Sequence, residues 1–391
     1  MKKPHVLILF SDTGGGHRSA SEAIIEALGL EFGDTITTEM VDFFKEYAPI
    51  PFNKMPDLYP QLVKATHLWQ AGFYATDGRP QARVITSAFW PYARRAAKKL
   101  LNNHPSDIII TTHAAANSVA LKALGKNRSR RFITVVTDPV STHALWFDKR
   151  ADLILVPTDM AAERAIAYHM PPEKVHVVGQ PVADRYCAPP GNKRALRKKL
   201  GWPQDKMITL LIGGGEGMGP IAHTADAIDT SGLDLGLVII AGRNARLQAK
   251  LESHDWNIPT RIYGFTRDLP DFMRAADVLV TKAGPGTIAE SMNAGLPIIL
   301  NARVPGQEDG NVTYVQKERV GVWAPRTDRV VRTLKKWLEN PEERERFSEN
   351  CLNSARPQSA RLIARFIGSQ AGLCPEPELE VDKNDNRSRG F

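Results

Sequence analysis

Residues 277–315 read DVLVTKAGPGTIAESMNAGLPIILNARVPGQEDGNVTYV. Val278-Leu279-Val280 is a short apolar run between turn residues, the pattern of a buried parallel strand. Lys282-Ala283-Gly284-Pro285-Gly286 forms the loop that follows, and Thr287 to Asn293 suits a helix. Pro285 fits a first helical turn, where its missing N–H costs nothing. Gly284 and Gly286 let backbone approach a ligand closely, and the free N–H groups of a helix start favour an anion. Glu290 falls about one turn further along. A carboxylate repels phosphate, so its chemistry suits accepting hydrogen bonds from a ribose diol. The next strand, Ile298 to Leu300, leads into Pro305-Gly306-Gln307-Glu308-Asp309-Gly310-Asn311. Amide and carboxylate side chains beyond the carboxyl end of a strand suit sugar hydroxyls. A well-built strand–turn–helix would explain Gly-Pro-Gly alone; phosphate loop and hydroxyl-reading loop in tandem point to a nucleotide-sugar site.

Just upstream, strand Met207–Ile212 opens into Gly213-Gly214-Gly215-Glu216-Gly217-Met218-Gly219-Pro220, dense enough in glycine for backbone N–H groups to gather around a diphosphate. Strand Leu235–Ala241 precedes Gly242-Arg243-Asn244, and Arg261–Tyr263 precedes Gly264-Phe265-Thr266. Arg243 can neutralise phosphate or lie on the surface, and Phe265 can cover a base.

The amino-terminal half repeats the arrangement. Strand Val6–Phe10 leads to Ser11-Asp12-Thr13-Gly14-Gly15-Gly16-His17-Arg18 and a helical pattern through Leu28. Gly14-x-Gly16-x-x-Ser19 lacks the third glycine of a dinucleotide fingerprint, so hydride transfer is disfavoured. A histidine here is presented to the cleft above the strand ends, and a helix start lowers its pKa, keeping it a neutral proton acceptor. A histidine after glycines can also simply cap a helix, but the catalytic reading is the favoured one. Strand Phe132–Val136 ends in Thr137-Asp138-Pro139, placing Asp138 where it can orient or charge-stabilise His17; for His113 and His143 a structural use is at least as good. Between Val41 and Arg83 the pattern degrades, with four prolines from Pro49 to Pro60 and with Phe52, Met55, Tyr59, Trp69, Phe73 and Tyr74. Such an insertion is an acceptor lid or membrane-dipping loop, or its aromatics fold back onto the core. Ile85 to Leu101 is helical apart from Pro91 and carries Arg94, Arg95, Lys98 and Lys99, a face for anionic lipid or for solvent.

The 391 residues carry a net charge of +8, with 42% apolar and 24% charged residues, as in a soluble two-domain protein with an anionic partner. No apolar run is long enough to span a membrane, and the amino terminus enters a strand directly, without room for a signal peptide. Three scattered cysteines fit a reducing compartment. The expected divisions are an acceptor-side domain at 1–185, a linker at 186–200, a donor-side domain at 201–355, a helix at 356–370 packing back toward the first domain, and a disordered tail at 371–391.

Together the motifs resemble those of the monogalactosyldiacylglycerol synthases and the related processive diacylglycerol glucosyltransferases, a glycosyltransferase family 28-like group. More distantly they are similar to the N-acetylglucosaminyltransferase that completes the lipid-linked peptidoglycan precursor. The matching stretches are SDTGGGHR (Ser11–Arg18), VVTDPVSTHALWF (Val135–Phe147), IGGGEGMGP (Ile212–Pro220), AGRN (Ala241–Asn244) and TKAGPGTIAE, GLPIILN and PGQEDGNV within Thr281–Val312. Even PFNKMPDLYPQLVK in the insertion resembles the family's acceptor-side loop. The resemblance implies an α/β GT-B fold, two Rossmann-like domains facing across a cleft. It implies a UDP-sugar donor on the second domain and a lipid acceptor on the first. His17 then matches the general base, Glu290 the ribose-binding glutamate, Phe265 the uracil-side residue, and Gln307, Glu308 and Asn311 the hexose-reading loop. Ala183 stands where relatives often have arginine.

The donor-side candidates are therefore Gly213, Gly214, Gly215, Glu216, Gly217, Met218, Arg243, Asn244, Phe265, Lys282, Gly284, Pro285, Gly286, Thr287, Glu290, Gln307, Glu308 and Asn311. Gly15, Gly16, Phe52, Trp69, Phe73 and Tyr74 are the acceptor-side and membrane candidates, and His17 and Asp138 the catalytic ones. The reading is inverting transfer of a hexose, galactose favoured, to the 3-hydroxyl of diacylglycerol at an anionic membrane surface. With no Asp-x-Asp triplet, neither metal nor cofactor is expected, and nucleic-acid binding is disfavoured because the basic residues are dispersed. Glucose transfer, a soluble UDP-sugar epimerase or hydrolase and a non-catalytic UDP-sugar binder stay open, as does oligomeric state. The short amino terminus suggests a bacterial form on the cytoplasmic face of the cell membrane.

Overall fold

The computed structural model describes residues 3–378 apart from Gly14, Lys64 and Asn127. Among them, two six-stranded sheets account for the strands. The first is built from β1 (His5–Phe10), β2 (Thr37–Asp42), β3 (Ile108–Thr111), β4 (Arg131–Val135), β5 (Leu153–Val156) and β6 (Val175–Val177), in the order β2-β1-β3-β4-β5-β6. The second holds β7 (Met207–Ile212), β8 (Leu235–Ile240), β9 (Thr260–Tyr263), β10 (Val278–Lys282), β11 (Ile298–Ala302) and β12 (Gly321–Trp323), in the order β12-β11-β10-β7-β8-β9. All pairings are parallel. Central strands such as β3 and β7 are buried along their whole length, which is why they are mainly apolar, each with one buried threonine. This is the two-Rossmann architecture expected of the chain.

Strand order reverses between β1 and β3 in the first sheet, and between β7 and β10 in the second. Loops that leave the carboxyl ends on either side of such a reversal diverge, and the crevice between them takes ligands. His17 follows β1; the two glycine loops follow β7 and β10. Topology alone therefore brings the sequence candidates to two crevices.

Three segments depart from the sequence reading. The insertion is not irregular: helices Phe43–Tyr47, Met55–Leu62 and Thr66–Thr76 lead into helix Arg79–Asn103, which runs through Pro91. Residues 193–200, expected within a linker, form a helix fixed to the second domain. Its Arg197 is buried, donates from Nε to the Ala275 carbonyl at 2.8 Å and pairs with Asp277, which Lys193 also meets at 3.0 Å. The tail is placed through residue 378: Leu373 packs on the first domain's core, and its N–H donates to the Gly368 carbonyl at 2.9 Å. Residues 379–391 of that expected tail lie outside the described residues.

Helix Ser359–Gln370 crosses from the second half to the first. Ile363, Ala364 and Ile367 are fully buried in one core cluster with Ile24 and Leu28 of helix Gly16–Phe32, the helix that carries His17. Arg361 and Arg365 both reach Glu31, at 3.2 and 2.8 Å. Ile363→Ala removes three buried carbons from this contact. It is expected to lower stability by about 2–5 kcal/mol, measured by urea unfolding.

Candidate functional site

The chain leaves β1 and turns through Gly15, whose φ of 80° is left-handed backbone that a side chain would strain, into helix Gly16–Phe32. That turn sets His17 above the reversal point. Its Nδ1 lies 2.7 Å from the Thr112 carbonyl oxygen and 3.2 Å from Thr137 Oγ1. A carbonyl only accepts, so Nδ1 carries the proton and Nε2 keeps its lone pair. Burial pulls the His17 pKa down to about 4, against the opposing Thr112 bond. The ring is neutral at pH 7, with one nitrogen anchored and the other able to take a proton.

The neighbouring histidines are structural. His113 accepts the Ala115 N–H at Nδ1, capping helix Ala114–Leu124, and meets Thr13 Oγ1 through Nε2 at 3.2 Å. His143 accepts the Leu145 N–H in the same way. Asp138 does not orient His17: its Oδ2 accepts the Trp146 indole N–H at 2.6 Å, while Thr112 and Thr137 hold the imidazole. Asp138 nevertheless lines the same cleft. Burial raises its pKa to about 6, with Glu308 adding to the rise and the indole bond opposing it.

On the facing domain, the loops after β7 and β10 meet around Lys282, which passes Gly214 and ends over Gly284. Its Nζ is 2.5 Å from Glu308 Oε1, and Glu308 Oε2 accepts the Val304 N–H at 2.8 Å. Gly217 (φ 59°) lies so close to the Ala241 carbonyl that a Cβ would stand 2.3 Å from its oxygen, which ties Gly213–Met218 to the loop after β8. Arg243 N–H donates to the Gly215 carbonyl at 2.8 Å, its guanidinium pairs with Glu216 at 2.8 Å, and its centre lies 4.4 Å from the Phe265 ring centroid. Pro285, Gly286 and Thr287 form the first turn of helix Pro285–Asn293. Glu290 is one turn in, beside Arg185 and Tyr186, and burial lifts its pKa to about 7.

Three of the expected donor contacts are committed elsewhere. Asn244 caps helix Ala245–Glu252 by accepting the Leu247 N–H, Glu308 is spent on Lys282 and Val304, and Asn311 donates to the Ala283 carbonyl at 2.8 Å. They shape the loops before they could meet any sugar. Asn311 Oδ1 has no hydrogen-bond partner among the described residues.

Part of the insertion folds back, with Phe43 and Tyr47 packed on the first domain's core, and part reaches across the cleft. Tyr59 donates its hydroxyl to Gln307 Oε1 at 3.1 Å, Tyr74 donates to Asp309 Oδ2 at 2.9 Å, and Phe73 packs over Gly306. Trp69 backs Tyr59 with ring centroids 5.5 Å apart. Ser141 of the first domain accepts the Gly310 N–H at 2.9 Å. Phe73 and Tyr74 therefore sit on the 305–311 loop, Trp69 stands behind Tyr59, and Phe52 lies apart from them against Phe89. One cleft is lined by Thr13, Gly16, His17, Tyr59, Thr137 and Asp138 from one side and Met218, Lys282, Pro285, Gly286, Gln307 and Glu308 from the other, with Gln180 between. Sequence reasoning named Tyr59 among the insertion's aromatics without giving it a site role, and passed over Thr112, Thr137 and Gln180. Tyr59 had a signal, lying in the acceptor-loop motif; Thr112 acts through a carbonyl, which no side chain announces.

Comparison with known proteins fits this geometry. The family Monogalactosyldiacylglycerol (MGDG) synthase matches residues 17–182, and Glycosyl transferases group 1 matches residues 192–353. The chloroplastic monogalactosyldiacylglycerol synthase of Spinacia oleracea is 40% identical over 376 residues, covering 93% of this chain and 72% of that protein. In fold, the chain is similar to MurG of Acinetobacter baumannii, with a TM-score of 0.58 at 14% identity over 94% of this chain and 99% of that one. It is as similar to a UDP-GlcNAc 2-epimerase of Neisseria meningitidis bound to UDP-GlcNAc, with a TM-score of 0.58 at 14% identity over 93% and 100%. Those two likenesses establish the GT-B architecture and nothing finer. The synthases of Spinacia oleracea and Arabidopsis thaliana that it resembles are chloroplastic, so the expected bacterial source and cell-membrane address find no support in them. With two fifths of its residues shared along nearly its whole length, the chain belongs to the monogalactosyldiacylglycerol synthase family.

Proposed function

We propose that this protein is an inverting galactosyltransferase that moves galactose from UDP-galactose to the 3-hydroxyl of 1,2-diacylglycerol. The observation that carries the mechanism is the unprotonated Nε2 of His17, held by Thr112, in a cleft whose opposite wall is Lys282, Gln307 and the two glycine loops. His17 Nε2 takes the proton of the acceptor hydroxyl as its oxygen forms the bond to the anomeric carbon. The bond from that carbon to the diphosphate oxygen breaks, UDP leaves with the bonding pair, and the configuration inverts from α to β. Lys282, the N–H groups of Gly214–Glu216 and the amino end of helix Pro285–Asn293 face the departing charge, while the Gly217 and Met218 N–H groups close the loop on the Gly214 and Gly213 carbonyls. Arg243 and Phe265 flank the base side, and Glu290 suits the ribose.

The epimerase reading rests on shared fold alone, whereas galactose and a lipid acceptor follow from the sequence relatives. Among the described residues no helix is long and apolar enough to cross a membrane. A lipid acceptor then requires docking on the bilayer surface, for which the net charge of +8 favours anionic lipid. The test is a matrix of UDP-galactose, UDP-glucose and two UDP-N-acetylhexosamines against diacylglycerol and ceramide, with products identified by mass spectrometry and anomeric configuration by NMR. β-Galactosyl diacylglycerol as the main product supports the reading; a free epimerised sugar nucleotide, or no product despite UDP binding, overturns it.

Tyr59 provides a finer check on the sugar side. Its hydroxyl is the insertion's hydrogen bond to Gln307, and burial pushes the phenol above its ordinary pKa, so it stays a donor. Tyr59→Phe deletes one neutral hydrogen bond. It is expected to raise the donor KM about 2- to 10-fold, with a smaller change in kcat, in steady-state kinetics.

A further inference from the structure

Beside the cleft lies an apolar groove of about 310 Å³ that no step above uses. Its floor is Leu9 of β1, and its walls are helices Phe43–Tyr47, Arg79–Asn103 and Ala114–Leu124. The two long walls present alanine where a packed pair of helices usually presents larger side chains: Ala93, Ala96 and Ala97 on one, Ala115, Ala116 and Ala120 on the other. Close-packed interiors leave few voids larger than a water molecule, and an apolar hollow does not hold water well. The shape is therefore made for an apolar guest.

Its two ends say which guest. At the inner end, the Phe43 and Phe44 rings lie 5.4 and 5.8 Å from the His113 ring, whose centroid is 4.5 Å from that of His17. At the outer end, Phe89 and Tyr92 are 42% and 70% exposed, next to the exposed Arg94, Arg95, Lys98 and Lys99. Apolar rings beside a row of cations form the surface that meets an anionic bilayer. From Ile85 to Leu101 the helical wall runs about 24 Å, room for a long, extended chain. The part of this sequence beyond the described carboxyl end, LEVDKNDNRSRGF, is too polar to fill it.

We propose that one acyl chain of the acceptor diacylglycerol lies in this groove, entering past Phe89 and Tyr92 and leaving the glycerol hydroxyl at His17. The inference rests on diacylglycerol being the acceptor, and it adds how the lipid is drawn partly out of the bilayer to reach a buried base. The second chain stays with the membrane. For acceptors with chains short enough to dissolve in water, each methylene that enters the groove leaves water, so acceptor KM falls with chain length across that short-chain series.

The test has two arms. In the first, wild-type protein on phosphatidylglycerol-containing vesicles is photolysed with a diacylglycerol bearing a diazirine along one acyl chain, and labelled peptides are sequenced. Label on helix Arg79–Asn103 or helix Ala114–Leu124 supports the groove; label confined to other segments, or protein–protein cross-links without lipid label, overturns it. In the second, Ala93→Phe and Ala96→Phe fill the hollow. The KM for dioleoylglycerol is expected to rise tenfold or more, that for dibutyrylglycerol to change less than about twofold, and UDP affinity to be unchanged. Equal changes for both acceptors, or none, overturn the inference. If either variant fails to fold, wild-type labelling decides by itself. Wild-type protein that glycosylates no diacylglycerol at all refutes the function rather than the groove, and lipid label in the groove would still report its occupant.

Discussion

Replacing His17 by alanine lowers turnover roughly 10²–10⁴-fold, while UDP affinity stays within about twofold. The asymmetry follows from position. His17 lies in the first domain and touches Thr112 and Thr137, so its removal leaves the glycine loops, Lys282 and Glu290 untouched. Isothermal titration with UDP and a radiolabel turnover assay separate the two quantities. Wild-type-like turnover in His17→Ala would remove this residue from the chemistry.

The pH profile gives a second readout on the same residue. A base works unprotonated, so kcat/KM falls as pH drops through its pKa in the free enzyme. Burial has brought His17 to about 4, so its limb lies well below the 6.5 of an ordinary histidine. Asp138, raised to about 6, supplies any inflection near that value. Asp138→Asn should erase such an inflection and leave the lower limb in place. Stability has the matching sign. Between pH 6.5 and about 4 the unfolded chain binds a proton at this histidine that the folded protein does not, so His17 weakens the fold as pH falls through that window. An acid limb near 6.5 that survives Asp138→Asn would show His17 to be solvated, contrary to its surroundings here.

How much of this could be read in advance depends on which atoms do the work. The two crevices were legible because parallel strands write themselves as apolar runs and the loops beyond β1, β7 and β10 are marked by glycine. The roles within the crevices were less so. Asp138 stood at the expected strand end, but a tryptophan eight residues later claims its carboxylate, a contact that sequence spacing does not reveal. Glu308 and Asn311 were identified as polar loop residues, yet their side chains hold the loop itself. The insertion was hardest: Tyr59 and Tyr74 find partners 248 and 235 positions away, and no local pattern encodes a partner on another domain. The helix from 193 to 200 looked like a basic linker because its only buried residue is an arginine.

Lys282→Met carries the other large effect, and its interest lies in separating two roles of one amine. Lys282 is 21% exposed and Glu308 6% exposed, with 2.5 Å between them, so removing the lysine strands a buried carboxylate at a cost of about 3–5 kcal/mol. Lys282 also lines the cleft, where the proposed mechanism has its amine facing the departing diphosphate. Loss of one preorganised cation or donor from a developing charge lowers kcat about 10²–10³-fold. Adding Glu308→Gln removes the stranded charge. The double variant Lys282→Met/Glu308→Gln is therefore expected to regain most of the lost stability in urea unfolding and to stay at the low turnover of Lys282→Met. Recovery of both would make Lys282 a strut for the 305–311 loop alone. Recovery of stability without turnover would separate the ion pair that builds the loop from the charge that assists the leaving group, and would place the chemistry of the second domain on Lys282.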